Sequence, residues 1–235
     1  MIRLSFLRTS GLIALGLGSL AENVRADSGG DMMRNRKYRK TVGVLLGSYS
    51  VLLDWAGPAE VFYSSGYDGN SDTDEFRIVT IGKASGSIPL QVLGDYTPQF
   101  AVSNAPRCDV VIIPGSFPKD LGRDSATIAW VKSQLAGGAT ILTVCTGALV
   151  AAEMGILDGR RVTTSHGALK MLSKRAPNAQ VVTDSLFVDS GNVVTAAGTS
   201  TGIDAALHVI ERMLGPKSAA DEREYLEYKW SPAGA

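Results

Sequence analysis

The chain has 235 residues, 45% of them hydrophobic and 26 of them glycine, enough core material for one α/β domain with many tight turns. Its 23 basic residues balance 23 acidic ones, and only 7% of residues are aromatic. That balance excludes the global positive field and aromatic interleaving of a nucleic-acid binder, so a small organic substrate or a protein partner is expected and no nucleic acid.

Residues 1–26 read as a targeting segment. Arg3 and Arg8 precede the apolar run 11–21, and Val24-Arg25-Ala26 offers a cleavage boundary. The alternatives are an uncleaved N-terminal helix or a true start at Met32 or Met33. The apolar run is too short to be a stable membrane span, so an exported product, periplasmic or secreted, is expected after cleavage, and a cytoplasmic one if the segment is no signal. Residues 27–40, with the run Arg34-Asn35-Arg36-Lys37-Tyr38-Arg39-Lys40, read as a solvated basic linker.

From residue 41 onward, strands and helices alternate. A strand is expected over 41–46, a helix over 56–63 with Pro58 near its start, and a polar loop over 66–75. A strand over 76–81 and a short strand or hairpin arm over 87–92 follow. Strand, helix, strand and helix then recur at 109–113, 126–135, 139–144 and 147–153. The second half adds a strand at 161–163, a helix over 167–174, and strands near 180–183, 186–189 and 192–196. Asp189-Ser190-Gly191-Asn192 makes the reversing turn between the last two. Ile203, Leu207, Ile210 and Leu214 recur at helical spacing, so a helix over 201–214 should cover the sheet with one face. Parallel pairing with right-handed crossovers is the economical arrangement for 41–214. Residues 215–235 form a charged C-terminal extension, helical between 219 and 228, with too few residues for an attached helix-turn-helix domain.

The chemistry centres on Cys145. The run Thr143-Val144-Cys145-Thr146-Gly147-Ala148 sets a cysteine where an apolar strand meets the small-residue start of a helix. A sharp strand-to-helix turn can aim one side chain into a cleft and leave room for a ligand beside Gly147. The helix amides and dipole would favour a thiolate, although a lone cysteine also serves as a small buried hydrophobe. Spacing does not decide whether Cys108 and Cys145 meet; we expect a packed Cys108 and a free Cys145, since a bridge would consume the elbow thiol. With His166 and His208 the only histidines and no metal-type cysteine pair, no metal site is expected. His208 lies within the last helix and reads as structural.

An ordered set of segments carries a resemblance across most of 41–214: Leu53-Asp54-Trp55-Ala56-Gly57-Pro58-Ala59-Glu60-Val61-Phe62, Val111-Ile112-Ile113-Pro114-Gly115, Val144-Cys145-Thr146-Gly147, Gly155-Ile156-Leu157-Asp158-Gly159-Arg160-Arg161-Val162-Thr163-Thr164 and Ala197-Gly198-Thr199-Ser200-Thr201-Gly202-Ile203-Asp204. Together they resemble the DJ-1/PfpI superfamily. The resemblance implies a flavodoxin-like α/β fold, an open, mostly parallel sheet with helices on both faces, as in class I glutamine amidotransferases. Asp54 before Gly57-Pro58, and Thr146 directly after the cysteine, are most similar to the isonitrile hydratase branch, as is Tyr225-Leu226-Glu227-Tyr228 near the end.

The resemblance implies Cys145 as nucleophile, Asp54 as acid and then base, and Thr146 as their positioning partner, with no cofactor and a homodimeric assembly. Gly115, Ser116 and Gly147 would line the oxyanion site or pocket. Asp54 can also be read as a helix cap or turn acid, and Glu60 as a helix-surface or dimer residue. Two departures stand out. Ser116 replaces the second glycine of a Pro-Gly-Gly run, and Ser165 takes the position where relatives carry histidine, moving His166 one residue on. The alternatives are another DJ-1/PfpI cysteine enzyme acting on an amide, peptide or reactive carbonyl, with His166 reaching Cys145, or a non-catalytic ligand-binding or stress-related protein.

Overall fold

A computed structural model describes residues 37–66 and 73–229. The expected targeting segment, most of the basic linker, part of the polar loop and the last residues of the extension lie outside the described residues. In chain order the elements are β1 (Lys37–Leu45), α1 (Leu52–Ser64), β2 (Thr73–Gly82), β3 (Ile88–Leu90), β4 (Gly94–Tyr96), β5 (Phe100–Ala101), β6 (Val110–Ile113), α2 (Pro118–Gly122), α3 (Ser125–Ala136), β7 (Thr140–Val144) and α4 (Gly147–Glu153). Then come β8 (Arg161–Val162), a 3₁₀ turn (His166–Ala168), α5 (Leu169–Arg175), β9 (Gln180–Val181), β10 (Phe187–Asp189), β11 (Val193–Ala196), α6 (Thr201–Leu214) and α7 (Pro216–Tyr225).

Among the described residues the main sheet runs β10-β11-β7-β6-β1-β2-β5, every neighbour pair parallel except β10 with β11. Alternation along the central strands divides the core into two layers. Val111, Ile113 and Ile141 face a layer built with Leu121, Val131 and residues 148–152, from α2, α3 and α4. Val110, Ile112, Leu142 and Val144 face the other, with Phe62, Leu207 and Ile210 from α1 and α6. Helices therefore cover both faces, and the fold is flavodoxin-like. The chain leaves β1 toward β2 on one side and later returns to β6 on the other. This reversal opens a crevice at the carboxyl ends of β1 and β6, where ligands bind in open α/β sheets.

Several boundaries differ from the sequence reading. β1 begins at Lys37, inside the stretch read as linker, because Lys40 pairs with Glu75 and sits 5.8 Å over the Phe76 ring, with Arg39 also on Glu75. Basic residues there brace a strand pair. The first helix starts at Leu52, so Pro58 lies mid-helix, packed at the α1–α6 crossing, where a Cβ on Gly202 would come 3.0 Å from its Cγ. The segment near 87–92 is one arm of the β3–β4 hairpin. The helix at 167–174 divides into the 3₁₀ turn and α5, and α2 and β5 are short elements that periodicity did not resolve. The C-terminal α7 packs on α6; Ala219 and Glu222 are buried and Tyr228 Oη donates to Asp204 at 3.1 Å. Among the described residues no helix is long and apolar enough to cross a membrane.

Both cysteines are free. Cys108 is buried in the α3–α4 layer, its thiol pushed up to about 12 by burial, and then by the nearby Asp109 charge. Gly43 in β1 makes room for it, since a Cβ there would lie 2.7 Å from Cys108 Sγ and 2.8 Å from Ile81 Cδ1. Gly43→Ala should cost about 1–3 kcal/mol of stability in urea unfolding. The same substitution in a Cys108→Ala background should cost measurably less, because the sulfur it strikes is gone.

Candidate active site

Strict alternation along β7 would send the side chain after Val144 toward the α3–α4 layer. Cys145 instead has φ 56° and packs against the α1–α6 layer that already holds Val144. The left-handed residue turns the thiol at the end of the strand, which is the geometry of a nucleophile elbow. Three hydrogen bonds hold this strained residue. Its N–H donates to Ala196 O at 3.1 Å, and its carbonyl accepts the Thr164 hydroxyl at 2.7 Å and the Ala148 N–H at 3.4 Å, where α4 begins. Thr163 N–H in turn donates to Thr195 Oγ1 at 2.8 Å, so the threonine pair ties the elbow to β11. Gly147 is required sterically, since a Cβ there would lie 2.0 Å from Ile113 O.

Asp54 lies in the first turn of α1 and is fully buried. It is neither the helix cap nor a surface turn acid; Val51 occupies the cap position. Its Oδ2 accepts the Gly115 N–H at 2.9 Å, while Val51 N–H donates to Gly115 O at 2.9 Å. The segment after β1 and the segment after β6 are thus clamped in both directions. A Cβ on Gly115 would sit 2.6 Å from Thr146 Oγ1 and 2.8 Å from Asp54 Oδ2, so the hydroxyl beside the elbow cysteine and the buried carboxyl converge on one point. Only glycine leaves that point open. Burial pushes the Asp54 carboxyl up to about 6, against the opposing pull of the Gly115 amide and, last, the Thr199 hydroxyl. Asp54 Oδ1 has no hydrogen-bond partner.

The structure thus brings Asp54, Gly115, Thr146 and Gly147 together at the Cys145 elbow. Ser116 follows in the same wall, its Oγ buried without a partner on the side of Gly47. His166 is not part of the group: it opens the 3₁₀ turn, is exposed and makes no hydrogen bond to Cys145, and Ser165 serves the turn by accepting Ala168 N–H at 2.7 Å. Glu60 is exposed on α1, where its charge acts on Glu222 of α7. His208 bonds Asp189 at 2.7 Å, next to Arg212. A cavity of about 330 Å³ opens beside Gly115 and Thr146, walled also by Tyr49, Val51, Gln91, Ser116 and Phe117.

Residues 40–212 match the DJ-1/PfpI family. The chain belongs to that family. It is 28% identical to isonitrile hydratase of Pseudomonas putida over 195 residues, 81% of this chain and 79% of that enzyme. It is 31% identical over 116 residues to the HTH-type transcriptional regulator CdhR of Pseudomonas aeruginosa, covering 49% of this chain but 34% of the regulator. The fold is shared with Drosophila melanogaster DJ-1beta, with a TM-score of 0.70 at 21% identity over 81% of this chain and 99% of that one. A THiJ/PfpI family protein from Pseudomonas syringae also gives 0.70, at 22% identity over 92% and 86% of the two chains.

Tyr49, Gln91, Phe117 and Thr199 were not named from sequence. Tyr49 and Phe117 follow the carboxyl ends of β1 and β6, a position that itself signals ligand contact in this fold; Thr199 stood unremarked within a quoted motif. Gln91 arrives on a hairpin outside the main sheet, and no local pattern marks it.

Two stability measurements test this geometry. Because φ at residue 145 is left-handed, Cys145→Gly should be more stable than Cys145→Ala by about 1 kcal/mol, the reverse of their order at an ordinary strand position. For Asp54 the folded state keeps its proton up to about pH 6, whereas the unfolded chain releases it near pH 4. Stability is therefore lost as pH rises through that window. Asp54→Asn removes the loss, so wild type should fall relative to Asp54→Asn by on the order of 2 kcal/mol between pH 4 and pH 6.5, read from urea unfolding at each pH.

Proposed function

We propose that the protein is a cofactor-independent cysteine hydratase that adds water to an isonitrile and releases an N-substituted formamide. The observation that carries this reading is the convergence of a buried carboxyl, Asp54, with the Thr146 hydroxyl beside the Cys145 elbow, while His166 stays outside. Its similarity to isonitrile hydratase supports the same chemistry. A cysteine–histidine mechanism on an amide or carbonyl would need His166, which is exposed and makes no hydrogen bond to Cys145, so the reading with Asp54 is favoured.

The reaction balances with these groups alone. Cys145 thiolate attacks the terminal isonitrile carbon and protonated Asp54 delivers its proton to that carbon, giving a thioimidate and Asp54 carboxylate. Water then adds at the same carbon. The carboxylate takes one water proton and passes it to nitrogen, and next accepts the hydroxyl proton as the C–S bond breaks. N-substituted formamide, thiolate and protonated Asp54 result. A carboxyl with its pKa near 6 holds its proton in about a tenth of molecules at neutral pH, so acid and base forms are both within reach. Thr146 fixes the relation between the two reacting side chains, and the Gly115 amide holds Asp54 in place.

Export and a homodimer belong to the same proposal. Export rests on the sequence of residues 1–26 and the dimer on the family resemblance.

Formamide formation from a panel of alkyl and aryl isonitriles tests the reaction. Wild type should turn over, Cys145→Ala should fall to background, and Asp54→Asn should lose about 10²–10⁴ in kcat/KM. A folded, reduced wild type that yields no formamide would reject the isonitrile assignment.

A further inference from the structure

We infer that Tyr49 and Phe117 form an aromatic mouth that selects substrates with a flat, uncharged, apolar substituent, an aryl group foremost. This inference rests on the hydratase reading for the reacting group, and on the cavity itself for the substituent.

The cavity walls supply the first argument. Tyr49, Val51, Gln91, Gly115, Ser116, Phe117 and Thr146 include no charged side chain, so an ionised substituent would enter without a counter-charge and lose its hydration. Gly115 and Thr146 adjoin the Cys145 elbow and supply backbone and hydroxyl groups on that side of the cavity, while Tyr49 and Phe117 supply aromatic surface. Such a division suits a molecule with a small polar head and an apolar tail. The volume of about 330 Å³ is at the small end for ligand pockets, which fits a single ring more closely than an extended chain.

The second argument is the arrangement of the rings. Tyr49 and Phe117 stand edge to face with centroids 5.1 Å apart and planes at 66°, yet they remain 51% and 58% exposed. An aryl group beside either ring can make the same kind of edge-to-face or offset pair, a gain beyond the area it buries. Their exposed surface flanks the cavity and would be covered by such a ring.

The third is that Tyr49 is held in place against its own backbone preference. Its φ is 59°, in the left-handed region that aromatic residues rarely adopt. Four hydrogen bonds fix the segment: Ser48 N–H to Asp120 Oδ2 at 3.0 Å, Tyr49 N–H to Pro89 O at 2.6 Å, Ser50 Oγ to Gly47 O at 2.8 Å, and Val51 N–H to Gly115 O at 2.9 Å. Lys83 Nζ bonds the other oxygen of Asp120 at 2.6 Å. The backbone that carries the ring is thereby fixed before any ligand arrives, and the Val51 bond links it to the same Gly115 that receives Asp54. Gln91, brought up by the hairpin that supplies Pro89, adds an amide for a neutral polar group on the ring.

The test compares kcat/KM for phenyl and methyl isonitrile in wild type, Tyr49→Ala, Phe117→Leu and Tyr49→Phe. The proposal expects the phenyl-to-methyl ratio to fall by roughly tenfold in Tyr49→Ala and Phe117→Leu, and to be kept in Tyr49→Phe, which retains the ring. A ratio unchanged in both ring-removing variants overturns the proposal. Binding of N-phenylformamide and N-methylformamide to Cys145→Ala, followed by calorimetry, separates the mouth from the reaction. Preference for the phenyl compound that disappears when Tyr49→Ala is added supports the mouth even where no isonitrile is turned over, an outcome that removes only the hydratase reading. Equal affinity for the two formamides overturns the mouth.

Discussion

The reciprocal clamp between residues 51–54 and Gly115 is the constraint on which the site depends. Asp54 Oδ2 takes the Gly115 N–H and Gly115 O takes the Val51 N–H, joining the segments that follow β1 and β6 at the point where the sheet reverses direction. A carboxyl there cannot be solvated, and one of its oxygens has no partner of good geometry. The clamp thus fixes the position of Asp54 while leaving its charge poorly compensated. The first gives geometry, and the second raises the carboxyl to about 6, a range in which a group can both give and take a proton near neutral pH.

Two residues outside glycine's usual preserve mark the same crevice. Tyr49 and Cys145 both have φ near +60°, one after β1 and one after β7. Each is held by backbone hydrogen bonds to a neighbouring segment, Tyr49 to the β3–β4 hairpin and Cys145 to β11. The parallel ladders behind them are rigid and deeply buried, so the cost of each turn is borne by the sheet as a whole. In both cases the turn sends toward the crevice a side chain that strand alternation alone would have aimed elsewhere or left undirected.

The central strands were legible as short continuous apolar runs, because both of their faces are buried, α4 from the small residues that follow the strand, and α6 from apolar residues at helical spacing. Cys145 could be singled out for a related reason: an apolar strand ends at a cysteine followed by Thr-Gly-Ala. Pro58 misled the reading of α1. Proline favours a first turn, but here tight packing against Gly202 keeps it inside the helix. The basic run misled at β1, where charge suggested solvent while Glu75 supplied a partner from a distant segment. Tyr49, Phe117 and Gln91 depend on contacts between three separate loops. Nothing in their own neighbourhoods records that these loops meet.

Ser165 stands where the family resemblance leads one to expect a histidine, and the fold offers a different titratable group near the cysteine. A histidine beside the cysteine would supply a base whose ordinary pKa already lies near neutrality. Asp54 reaches a comparable range by burial, and it does so from a fixed position set by Gly115. With His166 exposed, Asp54 is the buried carboxyl that the fold holds beside the elbow, at a position set by Gly115 and close to the Thr146 hydroxyl.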